Sequence, residues 1–572
     1  MEVIKSGPVA PKDPEKSRSC FFIMRGTEIT GSSQPDGKGI QFLYEDCGRL
    51  ACSAKLVGNI TDQKMLDMLS TTKDFRKLVH SIGVSIEADD PSEEIQFVFQ
   101  MYGKSDPYHS GTNIMMKVQA NGAEKKIALD QVTWSEDDDI TGQIRFEFEK
   151  ANTFATASIC FYLNDGYDAP APEEERTIDF KCAEYYAMLE KSLIQTGNVY
   201  RLKQAIDKAR AGKDVTVAYI GGSITQGAGA VPINTKCYAY QSFMSFCKVV
   251  DGTQRDNIYY VKAGVGGTPS EFGLLRYEQD VLRNGSVTPD VVIVEFAVND
   301  EGDETQGECY DSLVRMIYQG PGSPAVILLF SVFANDWNLE ERLSLVGRAY
   351  QLPMVSVKQA VVEQFYKKDG QGRVLSKRHF FFDLYHPTNV GHKIMADCLE
   401  YLFEKADQSA YPKEIVDLES IKAPIGDAFT HVLFLDRIEA EKSANIQSGG
   451  FDKIDEDVQV AEKDLDLEPT PEYRKNWRHT KDSSKDPYVM DIECTALILV
   501  FKDSASVQEG IAEIYVDGEK VLSANPRVVG WTHYNSVICF RDRERKNYHI
   551  EVKMQPGDEN KEFTIFGWGY VR

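Results

Sequence analysis

The 572-residue sequence has no C-x-x-C pair and no Cys/His spacing of the metal-binding kind. It has no uncharged apolar run long enough to span a bilayer. Its 11 cysteines, an odd number, stand singly along the chain. That pattern reads as reduced, mostly buried thiols of a cytosolic protein. Positive charge is short: 64 Lys and Arg face 88 Asp and Glu, for a formal net charge of −24. An acidic surface repels phosphate backbones and anionic lipid heads, which argues against nucleic acid and membrane as partners. Neutral substrates, such as sugars or uncharged esters, fit better. The opening "MEVIKSGPVAPKDPEKSRSC" carries charges and prolines but no apolar signal core, so the expected location is the cytoplasm.

What is present is ordinary for a globular protein: 42% hydrophobic and 27% charged residues, over a length that suits about three or four domains. Residues 1–165 read as a β-sandwich. "SIGVSIEADD" and "EEIQFVFQMYG" alternate like strands, and Asn121-Gly122 between two such runs signals a type I′ hairpin. One helix, "ITDQKMLDMLS", interrupts them. The Pro- and Glu-rich segment 166–177 reads as a linker. From 178 to 410, wholly apolar strands alternate with amphipathic helices, which predicts a parallel sheet covered on both faces. From 415 to 572 the pattern is β again, with a turn at Asp517-Gly518 and an acidic stretch, 451–472, expected as a solvated loop.

Within the α/β segment, the strand "VTVAY" runs into Gly221-Gly222-Ser223. No Lys follows the glycines, as a phosphate loop requires, and no acid ends the second strand, as a dinucleotide site requires. Thr225 breaks the G-x-S-x-G elbow. An incidental Gly-rich turn stays open on this evidence alone. The next strand ends also carry special residues: Gly264, Gly266 and Gly267 after the second, Asn299 after the third. Asp383 stands three residues before His386 near the domain's end. Each has a plain structural reading as turn glycine, helix cap or helix start. Together, at the rim where open parallel sheets bind ligands, they make an acyl-transfer set. Ser223 is the nucleophile, His386 the base and Asp383 its orienting acid. The N–H groups of Ser223 and Gly267 and the Asn299 amide are the oxyanion donors. His379 and His392 are the alternative bases. No cofactor and no metal is expected.

The blocks Gly-Gly-Ser-Ile-Thr, Ala-Gly-Val-Gly-Gly-Thr, Ala-Val-Asn-Asp and Asp-Leu-Tyr-His-Pro together resemble the SGNH (GDSL-like) hydrolases. Ser223, Gly267, Asn299 and His386 match the family's hallmark residues, with Asp383 as the acid. Gly222 and Ala297 depart from the Asp and Gly that many members have there; both changes spare the reacting groups. The resemblance covers 178–410 and implies a flavodoxin-like three-layer α/β/α fold. An SGNH core flanked by jelly-roll-like β-sandwiches is similar to bacterial carbohydrate acetylesterases acting on xylan or mannan. That implies an acetylated oligosaccharide or polysaccharide substrate. A lipid esterase or thioesterase on the same core, and an inactive carbohydrate-binding protein, are the competing functions. In the C-terminal segment, Trp531 and His533, in a loop-like stretch after Gly530, are candidates for binding sugar. Alternation places Phe566, Trp568 and Tyr570 on one face, as core.

Overall fold

The structure is a computed structural model that describes residues 18–34, 36–43, 47–171, 176–251, 256–368, 370–413, 415–438, 443–458, 472–504, 506–529 and 531–572. The middle of the expected linker, most of the expected acidic loop, and Gly530 lie outside the described residues. Two compact units divide the chain, Met1–Arg176 and Thr177–Arg572.

The first unit holds two antiparallel sheets. One has four strands in the order Cys20–Thr30, Phe154–Leu163, Val79–Ala88, Lys125–Ala128. The other has five, in the order Ser32–Ser33, Gly39–Leu43, Asp138–Phe148, Glu94–Gly103, Asn113–Gln119. Phe161 of the first sheet stacks on Phe99 of the second, and Phe75, from helix Thr72–Leu78, meets both edge-on. Helix Gln63–Asp67 falls inside the one expected helix; helices Cys47–Leu56 and Thr72–Leu78 were not anticipated.

Asn121-Gly122 does not close a hairpin. Strand Asn113–Gln119 pairs in the five-stranded sheet, and Lys125–Ala128 pairs in the four-stranded one. A type I′ turn needs positive φ at both central residues, and of the two only Gly122 has it. Its N–H donates to Ile86 O at 2.7 Å, so the turn is tied to a third strand, Val79–Ala88. The chain changes sheets there.

The second unit is built on a six-stranded sheet. Five strands are parallel, in the order Ile258–Gly264, Val215–Gly221, Val291–Glu295, Ala325–Phe330, Met354–Ser356. A short strand, Leu193–Gln195, adds antiparallel at one edge. The apolar, β-branched runs "VVIVE" and "AVILLF" are buried along their whole length, as strands covered on both faces must be. Helices Ser270–Asp280, Glu308–Gln319 and Glu340–Ala349 share a core with one face of the sheet. On the other face, Tyr219 meets Tyr238 of helix Tyr238–Asp251, which packs on the long helix Asn389–Gln408. Numbered by chain order, the parallel strands run 2-1-3-4-5. That order reverses between the first and third strands, where such sheets bind ligands.

The rest of the unit is two antiparallel sheets of five strands each. They enclose an apolar cluster that includes Trp477, Tyr488, Leu499, Ile550 and Trp568. In the sheet containing Ala496–Asp503, His533–Phe540 and Phe563–Val571, the first and last of these strands are buried on both faces, because the sheet's other face lies against helix Ser270–Asp280. A Cβ on Gly569 would collide with Leu275 of that helix. This packing corrects one expectation. Phe566 does not share a face with Trp568 and Tyr570. The register against the neighbouring strand shifts between Val500 and Phe501, which turns Phe566 toward the helix side. There it packs on Tyr534 at 4.7 Å. Among the described residues no helix is long and apolar enough to cross a membrane.

Candidate active site

The first strand ends at Gly221, and Ser223 opens the short helix Ser223–Gln226. Gly222 sits at the helix N-cap, where a Cβ would collide with the Asn299 side-chain amide. This is a physical reason for glycine at this position.

His386 comes from the loop before helix Asn389–Gln408, whose first turn is capped by Thr388. The buried Asp383 shapes that loop. Its Oδ1 accepts the N–H groups of Tyr385 at 2.7 Å and His386 at 2.8 Å. Its Oδ2 faces His386 Nδ1 at 3.0 Å. A carboxylate only accepts, so the imidazole carries its proton on Nδ1 and leaves Nε2 as an acceptor. Nε2 lies 2.9 Å from Ser223 Oγ. The hydrogen-bonded line from serine to carboxylate is unbroken. His386 is 5% exposed and Asp383 is 0% exposed, so bulk water does not compete for the inner bond.

Gly267 and Asn299 stand at the ends of the next two strands. Gly267 has φ +69°, which L side chains rarely adopt. The neighbouring Gly266 N–H donates to Gln226 Oε1 at 2.9 Å, tying this loop to the serine helix. Asp300, next to Asn299, accepts the Ser270 N–H at 2.7 Å and its hydroxyl at 2.8 Å. The two loops that flank the serine are thereby joined to each other.

The alternative bases are otherwise engaged. His392 is fully buried; its Nδ1 accepts the Tyr238 N–H and its Nε2 donates to Ala228 O, both at 3.1 Å. Burial pushes it down to about 3, so it is neutral at working pH. His379 Nδ1 closes a capping box with Ser376 at the start of helix Lys377–Phe380.

Trp531 and His533 reach the same rim from the C-terminal sheets. A Cβ at Gly267 would lie 3.0 Å from His533 Cε1 and 3.3 Å from Trp531 Cζ2. Burial holds His533 down at about 4, opposed by a hydrogen bond with the Gly266 backbone. Trp531 is 37% exposed. The stretch expected as a loop is a strand from His533 onward, and Tyr534 is buried within it, donating to Val458 O at 2.9 Å. The glycine at 530 suggested a loop there.

Sequence reasoning missed Glu295. It ends the third strand fully buried, with hydrogen bonds from Thr225 and Ser331. The available signal was an acid closing the apolar run Val291–Val294. For metal, the described residues bring Glu271, Asp303 and Cys309 within 4.8 Å of one another, all buried. Asp303 already accepts from the Thr305 N–H and hydroxyl and from the Gly307 N–H, closing its own turn.

Residues 219–394 match the model of the GDSL-like Lipase/Acylhydrolase family. The segment is a GDSL-like (SGNH) hydrolase domain, and the chain is a carboxylic ester hydrolase. Among solved structures it is similar to a two-domain esterase (CEX) active on acetylated mannans. The identity is 26% and the TM-score 0.56, over 67% of this chain and 99% of that one. The same esterase co-crystallized with mannopentaose matches at 25% identity and a TM-score of 0.55, over 67% of this chain and 98% of that one. No curated protein matches the sequence.

Proposed function

We propose that the protein is a serine esterase that removes O-acetyl groups from plant-type oligosaccharides or polysaccharides of the xylan or mannan class. The observation that carries the reading is the line Ser223 Oγ, His386 Nε2, His386 Nδ1, Asp383 Oδ2. Ser223 Oγ attacks the acetyl carbonyl while its proton passes to His386 Nε2. The tetrahedral oxyanion is received by the N–H groups of Ser223 and Gly267 and by the Asn299 amide. His386 returns the proton to the departing sugar hydroxyl, leaving an acetyl-serine. Water, deprotonated by His386, releases acetate and restores the serine. Asp383 orients the ring and stabilises its charged form.

Trp531 is the proposed platform for a sugar face, with His533 beside it. An exposed indole next to a neutral, buried imidazole supports that pairing. The similarity to an esterase active on acetylated mannans supports the substrate class. The finer architecture proposed is an N-terminal β-sandwich (1–165), a linker (166–177), the catalytic domain (178–410) and a C-terminal jelly-roll-like sandwich (415–572). The cytoplasm is the proposed location, on the scattered single thiols. The test is mass spectrometry of defined acetylated xylo- and manno-oligosaccharides before and after treatment. Loss of one acetyl group's mass per site with wild type and not with Ser223→Ala is the expected result. Intact acetyl groups on both series beside rapid cleavage of octanoyl esters would replace the reading with a lipid esterase.

A further inference from the structure

Glu295 ends a strand whose residues are all buried. A carboxylate in that position is costly unless it is hydrogen-bonded. Its donors are well defined. Ser331 Oγ donates to Oε1 at 2.7 Å and Thr225 Oγ1 to Oε2 at 2.9 Å. The backbone N–H groups of Gly222 and Thr225 also help to hold its carboxyl down against the effect of burial. All of these except Ser331 belong to the turn that carries Ser223. Tyr238 Oη, 2.8 Å from Thr225 Oγ1, extends the line behind the turn.

The geometry explains why a carboxylate suits this place. The first N–H groups of a helix have no acceptor within it. Glu295 lies opposite Gly221 in the sheet ladder, beneath the start of helix Ser223–Gln226. It accepts the Thr225 hydroxyl from that helix. On the other side of the strand end, the buried Arg276 donates to Gly221 O and Ala263 O, each at 2.8 Å, and pairs with Asp280 at 3.0 Å. The turn is held through the Thr225 hydroxyl from one side and through the preceding carbonyl from the other. Burial pushes the Glu295 carboxyl up to about 7, and the hydrogen bonds from Ser331, Thr225 and Gly222 oppose the rise.

We propose that Glu295 is a positioning residue for the nucleophile: by accepting the Thr225 hydroxyl on one oxygen and the Ser331 hydroxyl on the other, it fixes the turn so that Ser223 Oγ stays at His386 Nε2. This rests on Ser223 being the nucleophile.

The experiment compares Glu295→Gln, Thr225→Val and Ser223→Ala with wild type. It measures kcat and KM for 4-nitrophenyl acetate, the rate of fluorophosphonate labelling of the serine, and Tm. Glutamine keeps one acceptor oxygen but turns an NH2 group toward donors. Its kcat and labelling rate should fall roughly ten- to hundredfold, as a small displacement of a reacting atom does, with KM within about twofold. Thr225→Val removes one donor and should lower both rates about threefold or more. Assays run well below each variant's Tm, so that a loss of folded protein does not enter. A folded Glu295→Gln with wild-type kcat and labelling rate overturns the proposal. If Glu295→Gln does not fold, Thr225→Val decides by the same criterion. A dead Ser223→Ala beside a normal Glu295→Gln removes only this inference. An active Ser223→Ala removes the serine-esterase reading and this inference together.

Discussion

The parallel sheet and the C-terminal antiparallel sheets deliver residues to the same rim by different means. Strands Val215–Gly221, Ile258–Gly264 and Val291–Glu295 all end at one edge. Ser223, Gly267 and Asn299 follow those ends by two, three and four residues. Their meeting is a consequence of parallel pairing. Trp531 and His533 lie beside Gly267 because a whole sheet packs on helix Ser270–Asp280. The first arrangement brings together the groups of the proposed acyl-transfer site; the second places an apolar surface beside them. Substitutions in the parallel region are therefore expected to lower kcat, and those at the C-terminal contact to raise KM.

The largest effect tests the first half of that contrast. Ser223→Ala should lower turnover of 4-nitrophenyl acetate by up to about a millionfold, with His386→Ala close behind. Asp383→Asn should cost about ten-thousandfold, through the wrong ring tautomer. Circular dichroism should show the fold intact in all three. If Ser223→Ala kept a tenth of the wild-type rate, or if His392→Ala were dead and His386→Ala active, the parallel rim would have been assigned the wrong residues.

Asn299→Ala comes next. Loss of one oxyanion donor should lower kcat roughly a hundred- to a thousandfold with KM little changed. A helix-capping role would instead cost about 1 kcal/mol of stability at near-normal turnover. Steady-state kinetics and a melting curve on the same variant separate the two.

Each region also buries a neutral histidine, and pH probes them together. His392 is held at about 3 and His533 at about 4, against an ordinary value of 6.5. Below 6.5 the unfolded chain takes up protons that these folded rings refuse. Their contribution is thus present above pH 6.5 and is lost as pH falls toward 4 for His533 and toward 3 for His392. The stability difference between wild type and His392→Asn should shrink by about 1.4 kcal/mol per pH unit below 6.5. Urea unfolding at pH 7, 5.5 and 4.5 measures it, and a difference independent of pH would mean that His392 is not held neutral.

The smaller effects sharpen the second half. Trp531→Ala should raise KM for an acetylated oligosaccharide about two- to tenfold, the range of an aromatic contact. The small substrate 4-nitrophenyl acetate should be indifferent. Equal losses on both would indicate a folding defect, and no loss on either would take Trp531 out of the site. Chelation by EDTA should leave the rate unchanged. A loss restored by one divalent ion would instead give Glu271, Asp303 and Cys309 a metal.

The same two-residue signal had two outcomes in this chain. At Asp517-Gly518 both residues have positive φ, 51° and 85°, and Val516 pairs with Glu519 in a tight hairpin. At Asn121-Gly122 the flanking strands part into different sheets. Local propensity is shared by the two sites; what differs is which neighbouring strand is present to accept the backbone bonds. Helices Cys47–Leu56 and Thr72–Leu78 were hidden for a related reason, since short helices depend on the core they cover.

By itself, the sequence determined the parallel sheet and the rim set of Ser223, Gly267, Asn299, Asp383 and His386. Strands buried on both faces must be apolar throughout, and polar or glycine residues at their ends then stand out. Tertiary structure alone decided three further matters. It brought Trp531 and His533 to Gly267, across more than half the length of the second unit. It turned Phe566 away from Trp568, because a register shift interrupts the alternation. And it set Glu295 beneath the serine turn, where the donors that make a buried carboxylate tolerable come from two other loops. Sequence spacing carries information about one element at a time, whereas these three depend on which surfaces pack together.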